Sequence, residues 1–347
     1  MATISPTAGS FTPTQLQKVI ARVDSIWADT QLKQEYEANT GFLDAIRAEQ
    51  TAKMSIIQNP DKDKILRVIW VADCSTVVED CVTDEEDCNF TGPQAETRAQ
   101  DYALDLCGKV VFSIEETQFY DNEMSKEEVL AVQFAKHLKE LDENLVQKTI
   151  AHVNTFLGVN QYEGGIGQVD GVITYIPANY WTPDMYGYFG MVKIINKLTN
   201  PYLIHGSNLF QTNWQNTYNV ANANQKDGLP KLESIRSYWD LFNVDTMNAP
   251  YQDSYMIAKG AVAFANKARY PLNNPRVFQF GKRWSIESKN LPGVFYDVIY
   301  KERCVGDQIW YDFKISYKAG VFLNPLGCNE DVTGVLKFRC GTAPAES

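Results

Sequence analysis

Residues 125–157, SKEEVLAVQFAKHLKELDENLVQKTIAHVNTFL, carry the pattern on which the reading of the fold turns. Ser125 is followed three residues later by Glu128, the arrangement in which a serine hydroxyl and a glutamate reciprocally satisfy free amides at a helix start. Leu130, Phe134, Leu138, Leu141 and Leu145 then recur at helical spacing, and Val146, Ile150, Val153 and Leu157 continue the stripe, shifted by one residue. No Gly or Pro interrupts it before Gly158, which suits the left-handed conformation that ends helices. At about 1.5 Å per residue the pattern predicts a rod of roughly 50 Å. Lys136, Lys139, Glu140, Asp142, Glu143 and Lys148 are expected on its charged face. A rod with one apolar stripe needs a broad cover, most simply a sheet.

Upstream, residues 1–11 (MATISPTAGSF) are small and polar and read as a flexible arm. They lack the basic and apolar regions of a signal peptide, so the expected site of synthesis and use is a cytoplasm. Thr12 and Pro13 form a cap and first helical position ahead of Leu16, Val19, Ile20, Val23 and Trp27. A second helical stretch, about 30–57, contains Gly41 and is open to a break there. From Ile65 the pattern becomes extended. Between Val68 and Thr97 there is no Lys or Arg, while Asp73, Glu79, Asp80, Asp84, Glu85, Glu86, Asp87 and Glu96 all lie there. The return segment alternates through Tyr102, Leu104, Leu106, Val110, Phe112 and Ile114. This is a long two-stranded projection with an acidic tip, either a plain solvated hairpin or one that meets a basic partner.

Downstream, Gly164, Gly165 and Gly167 form a turn before a strand at 169–176. Thr182-Pro183-Asp184 opens a helix to about Leu198, and Tyr202 to Ile204 is a short strand. The Asn-rich segment 207–225 reads as a long surface loop or insertion. A short helix is expected at 234–242 and a buried strand at 255–265. Beyond Pro275 strands dominate, at 277–280, 294–300, 309–317 and 335–338. Trp310, Asp312, Lys314 and Ser316 alternate with Ile309, Tyr311, Phe313, Ile315 and Tyr317, one wet face and one greasy. The fold class is α+β.

The net charge of −11 argues against broad nucleic-acid binding, which needs clustered Lys and Arg. The 7 cysteines (Cys74, Cys81, Cys88, Cys107, Cys304, Cys328, Cys340) include no CxxC pair, so no metal site is expected. Cys74, Cys81 and Cys88 recur every seven residues, which leaves disulfides formed outside a reducing compartment open. His137, His152 and His205 lie in no HExxH, and there is no GxSxG, GxGxxG or GxxxxGK[ST]. No catalytic, cofactor-binding or metal-binding residue is assigned, no cofactor is expected, and the chain is read as not an enzyme. The alternative in another class is a carbohydrate-active hydrolase with a carboxylate pair and sugar-stacking aromatics. On that reading Tyr180, Trp181, Tyr186, Tyr188 and Trp214 would line a cleft; on the plainer one they pack or coat a domain.

Taken in order, these parts resemble the major capsid proteins of tailed bacteriophages, the Hong Kong 97 fold. The ending carries the likeness on, with Gly320-Val321-Phe322-Leu323-Asn324-Pro325 and then 333–338 similar to the closing strands of such subunits. The resemblance implies an N-terminal arm and helices (1–64), an extended loop (65–121) and a spine helix (122–159, the rod itself from Met124 to Leu157). An axial domain (160–275) and the return strands of a peripheral domain (276–347) complete it. It implies assembly into pentamers and hexamers of an icosahedral shell that encloses DNA without sequence-specific binding. The location implied is the virion capsid, assembled in the host cytoplasm, with no membrane partner. Scaffolding, portal and decoration proteins are the further partners implied, scaffolding as a separate protein or absent. The loop-lysine crosslink of some members has no counterpart, since no Lys lies between Ile65 and Gly108; Cys74, Cys81 and Cys88 are the candidates for covalent reinforcement. An encapsulin-like compartment shell resembles the same fold and is the alternative among structural proteins.

Overall fold

The computed structural model describes residues 13–50, 53–55, 65–71, 97–119, 125–224, 235–266, 276–278, 281–323 and 333–344. Helices α1 (Pro13–Ala28), α2 (Thr30–Tyr36) and α3 (Gly41–Glu49) precede strands β1 (Lys53–Ser55), β2 (Ile65–Val71), β3 (Thr97–Ala103) and β4 (Leu106–Glu115). The long helix α4 (Lys126–Asn154) follows, then β5 (Gln168–Asp170), β6 (Ile173–Ile176), α5 (Met185–Ile195), β7 (Tyr202–His205) and α6 (Asn208–Asn224). Next come β8 (Arg236–Trp239), α7 (Leu241–Asn248), β9 (Asp253–Ile257) and β10 (Val262–Asn266). Strands β11 (Arg276–Phe278), β12 (Gly281–Glu287), β13 (Phe295–Val305), β14 (Gln308–Leu323) and β15 (Val335–Cys340) close the chain. The fold is α+β. The chain divides into two compact units, one of residues 1–40, 105–148 and 265–319, the other of 41–104, 149–264 and 320–347.

In the first unit, β4, β14, β13, β12 and β11 pair antiparallel in that spatial order. The register brings Phe112, Phe313 and Tyr300 into one cross-strand row, and Val110, Ile315 and Val298 into the next. Alternation puts these side chains on one face, where the stripe of α4 covers them. Phe134 meets Phe112 edge-on at 5.7 Å and Phe313 at 5.4 Å between ring centroids. Leu130, Leu138, Leu141 and Leu145 are buried with it. The Ser125–Glu128 capping pair forms as expected, with the Glu128 amide donating to Ser125 Oγ and the Ser125 amide to Glu128 Oε2.

Asp142 corrects the sequence reading. It is fully buried instead of on the charged face. Its carboxylate accepts hydrogen bonds from Ser288 Oγ at 2.9 Å, Asn290 Nδ2 at 2.9 Å and the Tyr296 hydroxyl. A buried carboxylate is tolerable only when such donors surround it, and these come from β13 and the turn that leads into it. The adjacent charge and burial push the Tyr296 phenol well above its ordinary pKa, burial first.

The second unit holds a mixed sheet in the order β5, β6, β15, β9, β7, β8, with β15 parallel to β6 and β7 parallel to β8. It also holds β1, β2 and β3, paired antiparallel from Ile65 opposite Ala103 to Val71 opposite Thr97. The expected projection begins as such a pair; its acidic tip lies outside the described residues. The strand expected at 169–176 is instead the antiparallel pair β5 and β6, the helical stretch expected to about 57 ends at Glu49 before β1, and four further readings change. Residues 208–224 form helix α6 instead of a loop: Ser207 Oγ accepts from the Phe210 amide, and Phe210 packs against Trp181 at 6.0 Å. The expected helix at 234–242 is strand β8 followed by α7, whose start is capped by Asp240 accepting from the Asn243 amide. The single strand at 255–265 is two, β9 and β10. Gly158 does not adopt a positive φ. It is required by close approach, because a Cβ there would lie 2.3 Å from Thr333 Oγ1.

Asp142→Ala leaves three donors facing a hole and is expected to destabilise the chain by roughly 3 kcal/mol in denaturant titration. Lys136→Ala, on the exposed side of α4, should change stability by less than about 0.5 kcal/mol. Equal effects would show that Asp142 does not anchor the helix.

Candidate functional site

The first unit's sheet has a second face. Its rows follow from the register: Lys109, Ser316, Asp297 and Ser285; Val111, Lys314, Ile299 and Arg283; Ser113, Asp312 and Lys301. The acids on it are taken by neighbours. Asp297 accepts from Arg283 Nη2 at 2.9 Å and Ser285 Oγ at 2.8 Å. Asp312 accepts from Arg303 Nε at 2.9 Å and Ser113 Oγ at 2.6 Å, with Lys301 Nζ at 4.0 Å. Lys109 and Lys314 form no ion pair among the described residues, and Val111 between them is 60% exposed.

At the β4 margin this face opens into a groove of about 850 Å³, lined by Lys109, Lys148, Arg283, Lys314 and Lys318 as well as Glu140 and Asp297. Its wall is held from the helix side. Tyr317 donates to Asn144 Oδ1 at 2.8 Å, and Lys148 Nζ donates to the Cys107 carbonyl. Gly108 is fixed by contact, since a Cβ there would lie 2.5 Å from the Tyr317 ring. Cations grouped in this way attract anionic groups through several weak, salt-screened contacts. The wet face of β14 is legible in the sequence; its extension to Lys109 requires knowing that β4 pairs with β14. The alternation of Lys109, Val111 and Ser113 with Val110, Phe112 and Ile114 is the signal for it.

The histidines are spent on packing. His137 Nδ1 lies 2.9 Å from Glu140 Oε2, and its ring stacks on Phe112 at 4.8 Å. His152 is half-buried on α4. His205 is fully buried, with Nδ1 3.0 Å from Ser254 Oγ and Nε2 3.3 Å from the Tyr186 hydroxyl. Burial holds its pKa down at about 3, so it stays neutral and does not act as a base that changes charge near pH 7. Of the aromatics considered for sugar stacking, Trp181, Tyr186 and Tyr188 are buried, Trp214 is half-buried, and Tyr180 is exposed. Cys74, Cys81, Cys88 and Cys328 lie outside the described residues; Cys107, Cys304 and Cys340 are free thiols. Among the described residues no group of His, Cys, Asp or Glu could hold a metal ion. No described helix is long and apolar enough to cross a membrane.

The second unit contains a buried carboxylate paired with two cations. Asp253 is buried and accepts from Arg339 Nε and Nη2, both at 2.9 Å, with Lys337 Nζ at 3.0 Å. Lys337 also donates to Asn154 Oδ1 at 3.2 Å and to Asn248 Oδ1. Burial lowers the Lys337 pKa and Asp253 opposes that shift. Nearby, Asp245 has a buried Oδ1 with no hydrogen-bond partner among the described residues. Its pKa is raised to about 7, by burial first and then by Asp253 and Asp240, against a hydrogen bond from the Asn208 amide.

No family model matches the chain, and no curated protein matches it. Solved structures do. The chain is similar to the capsid of the cyanophage P-SCSP1u at 10% identity and TM-score 0.47, over 88% of this chain and 90% of that one. It is similar to the capsid of Ralstonia phage GP4 at 10% identity and TM-score 0.45, over 81% and 85%. The mature capsid of bacteriophage PhiM1 aligns at 8% identity and TM-score 0.43, over 82% and 84%.

Folding raises the Asp245 pKa, so the stability contributed by its protonated form is present below 3.8 and is lost as pH rises through about 7. For His205 folding depresses the pKa, so its contribution is present above 6.5 and is lost as pH falls toward about 3. Asp245→Asn should therefore raise the Tm at pH 8, with the gain shrinking toward pH 4 in scanning calorimetry. A gain independent of pH would show that ionisation of Asp245 is not its cause.

Proposed function

We propose that this chain is the building block of a bacteriophage head, a Hong Kong 97-like subunit whose copies tile as pentamers and hexamers into an icosahedral shell around DNA. The observation that carries the reading is complementary charge within one chain. The outer face of the first unit's sheet keeps Lys109 and Lys314 without an ion pair among the described residues, while residues 68–97 hold eight carboxylates and no Lys or Arg. In a ring of copies, the acidic stretch of one lies over the basic face of the next. The order of parts supports it, with helices α1 to α3, the β2–β3 pair, the 29-residue helix α4, a mixed-sheet unit and long return strands. On this reading 1–64 is the arm, 65–121 the extended loop, 122–159 the spine, 160–275 the axial domain and 276–347 the return of the peripheral domain. Assembly takes place in the host cytoplasm and the product is the virion capsid, with scaffolding, portal and decoration proteins as partners. The protein's role is structural, with no catalysis and no cofactor.

Each charged contact is worth only about 0.2–1 kcal/mol at an exposed site, so the energy comes from repetition. Purified protein is expected to sediment as rings or closed shells, visible by negative-stain microscopy. Lys109→Glu with Lys314→Glu should abolish them without lowering the Tm of the monomer. Raising salt from 0.1 M, where the screening length is about 10 Å, to 1 M, where it is about 3 Å, should weaken assembly. A stable monomer that hydrolyses carbohydrate would overturn the reading. Particles loaded with an enzyme instead of DNA would make it a compartment shell.

A further inference from the structure

Helix α5 is apolar on both of its sides. Met185, Tyr186, Tyr188, Phe189 and Val192 are buried in the second unit. The opposite side should then be polar, yet it carries Met191, Ile194 and Ile195, exposed by 43, 66 and 43%. A helix that is hydrophobic all round belongs in an interior. Glycine completes the exposed side: a Cβ built on Gly187 or Gly190 meets no atom within 4 Å. Another backbone can therefore approach closely there. At the far end, Asn196 Oδ1 accepts from the Gln161 amide at 2.9 Å, which ties to the helix terminus the segment carrying Val159, itself 49% exposed.

We propose that this side of α5 docks on a second copy of the same chain. The size of the patch selects that occupant. One side of an 11-residue helix offers far less than the roughly 1,200 Å² of total buried surface that a free-standing complex needs, so it cannot retain an independent partner. A contact repeated around a closed ring needs no such area, because each copy is held on two sides at once. Chemistry agrees: no Asp, Glu or Arg lies within α5 and its one charge, Lys193, is half-buried, so the matching surface must be apolar too. The inference rests on the shell reading and adds to it a contact independent of the charged face.

The test uses the full chain under conditions in which it assembles. Met191→Gln with Ile194→Lys should leave the circular dichroism spectrum and Tm of the monomer unchanged, because both side chains are exposed, and should lower the yield of sedimenting particles at least tenfold. A photoreactive benzoylphenylalanine in place of Ile194 should crosslink assembled copies into dimers whose peptides map to this chain alone. Full assembly of the double variant, or a crosslink to another polypeptide, would overturn the α5 contact and leave the shell reading standing. Failure of the parent chain to assemble would overturn the shell reading, and the α5 contact with it.

Discussion

Everything in the first unit depends on covering the apolar stripe of α4. Once Phe134 is seated between Phe112 and Phe313, alternation decides which side chains of β4, β14, β13 and β12 face the helix and which face away. The basic face is thus a by-product of burying the greasy one. A one-residue slip of β4 against β14 would turn Lys109 inward and Phe112 outward, and both errors would be costly. Asp142 makes the placement more specific than an apolar stripe could. Its donors, Ser288, Asn290 and Tyr296, meet it only at one position of the helix along the sheet, so sliding by a turn would strand a buried charge.

What was legible in the sequence was what periodicity and caps determine. The rod helix, its capping pair, the wet and dry faces of β14 and the α+β class all follow from local spacing. What was not legible depended on partners distant in the chain. Asp142 looks like a surface residue until the turn before β13, some 146 residues away, supplies its hydrogen bonds. The asparagines of α6 have poor helix propensity, and the helix forms because Phe210 and Trp214 have an aromatic surface to pack on. Gly158 reads as a helix terminator, yet the neighbour that requires it is Thr333. The candidate face was half visible: Lys314 in the alternating run, Lys109 only through strand pairing.

Burial of polar groups follows one rule in both units. Asp142 and Asp253 are buried with several donors each, and His205 is buried neutral between two hydroxyls. Asp245 departs from it, with one oxygen buried and without a hydrogen-bond partner among the described residues, beside two other carboxylates. Lys109 and Lys314, by contrast, form no ion pair among the described residues.

The two surfaces left unsatisfied differ in kind, and the difference bears on how a shell could be built. Charged contacts act at a distance and guide copies together, but screening limits how tightly they hold. Apolar contacts act only when surfaces touch, are insensitive to screening, and improve with each methylene removed from water. An acidic chain repels its own copies at long range, so in the proposed shell a basic face on the first unit would give approach a direction. In the proposed shell the uncovered side of α5, on the second unit, would then reward arrival. Neither surface is large enough to hold one neighbour permanently. That weakness is useful in a closed assembly, because misplaced copies can leave before the ring completes and the contacts become cooperative.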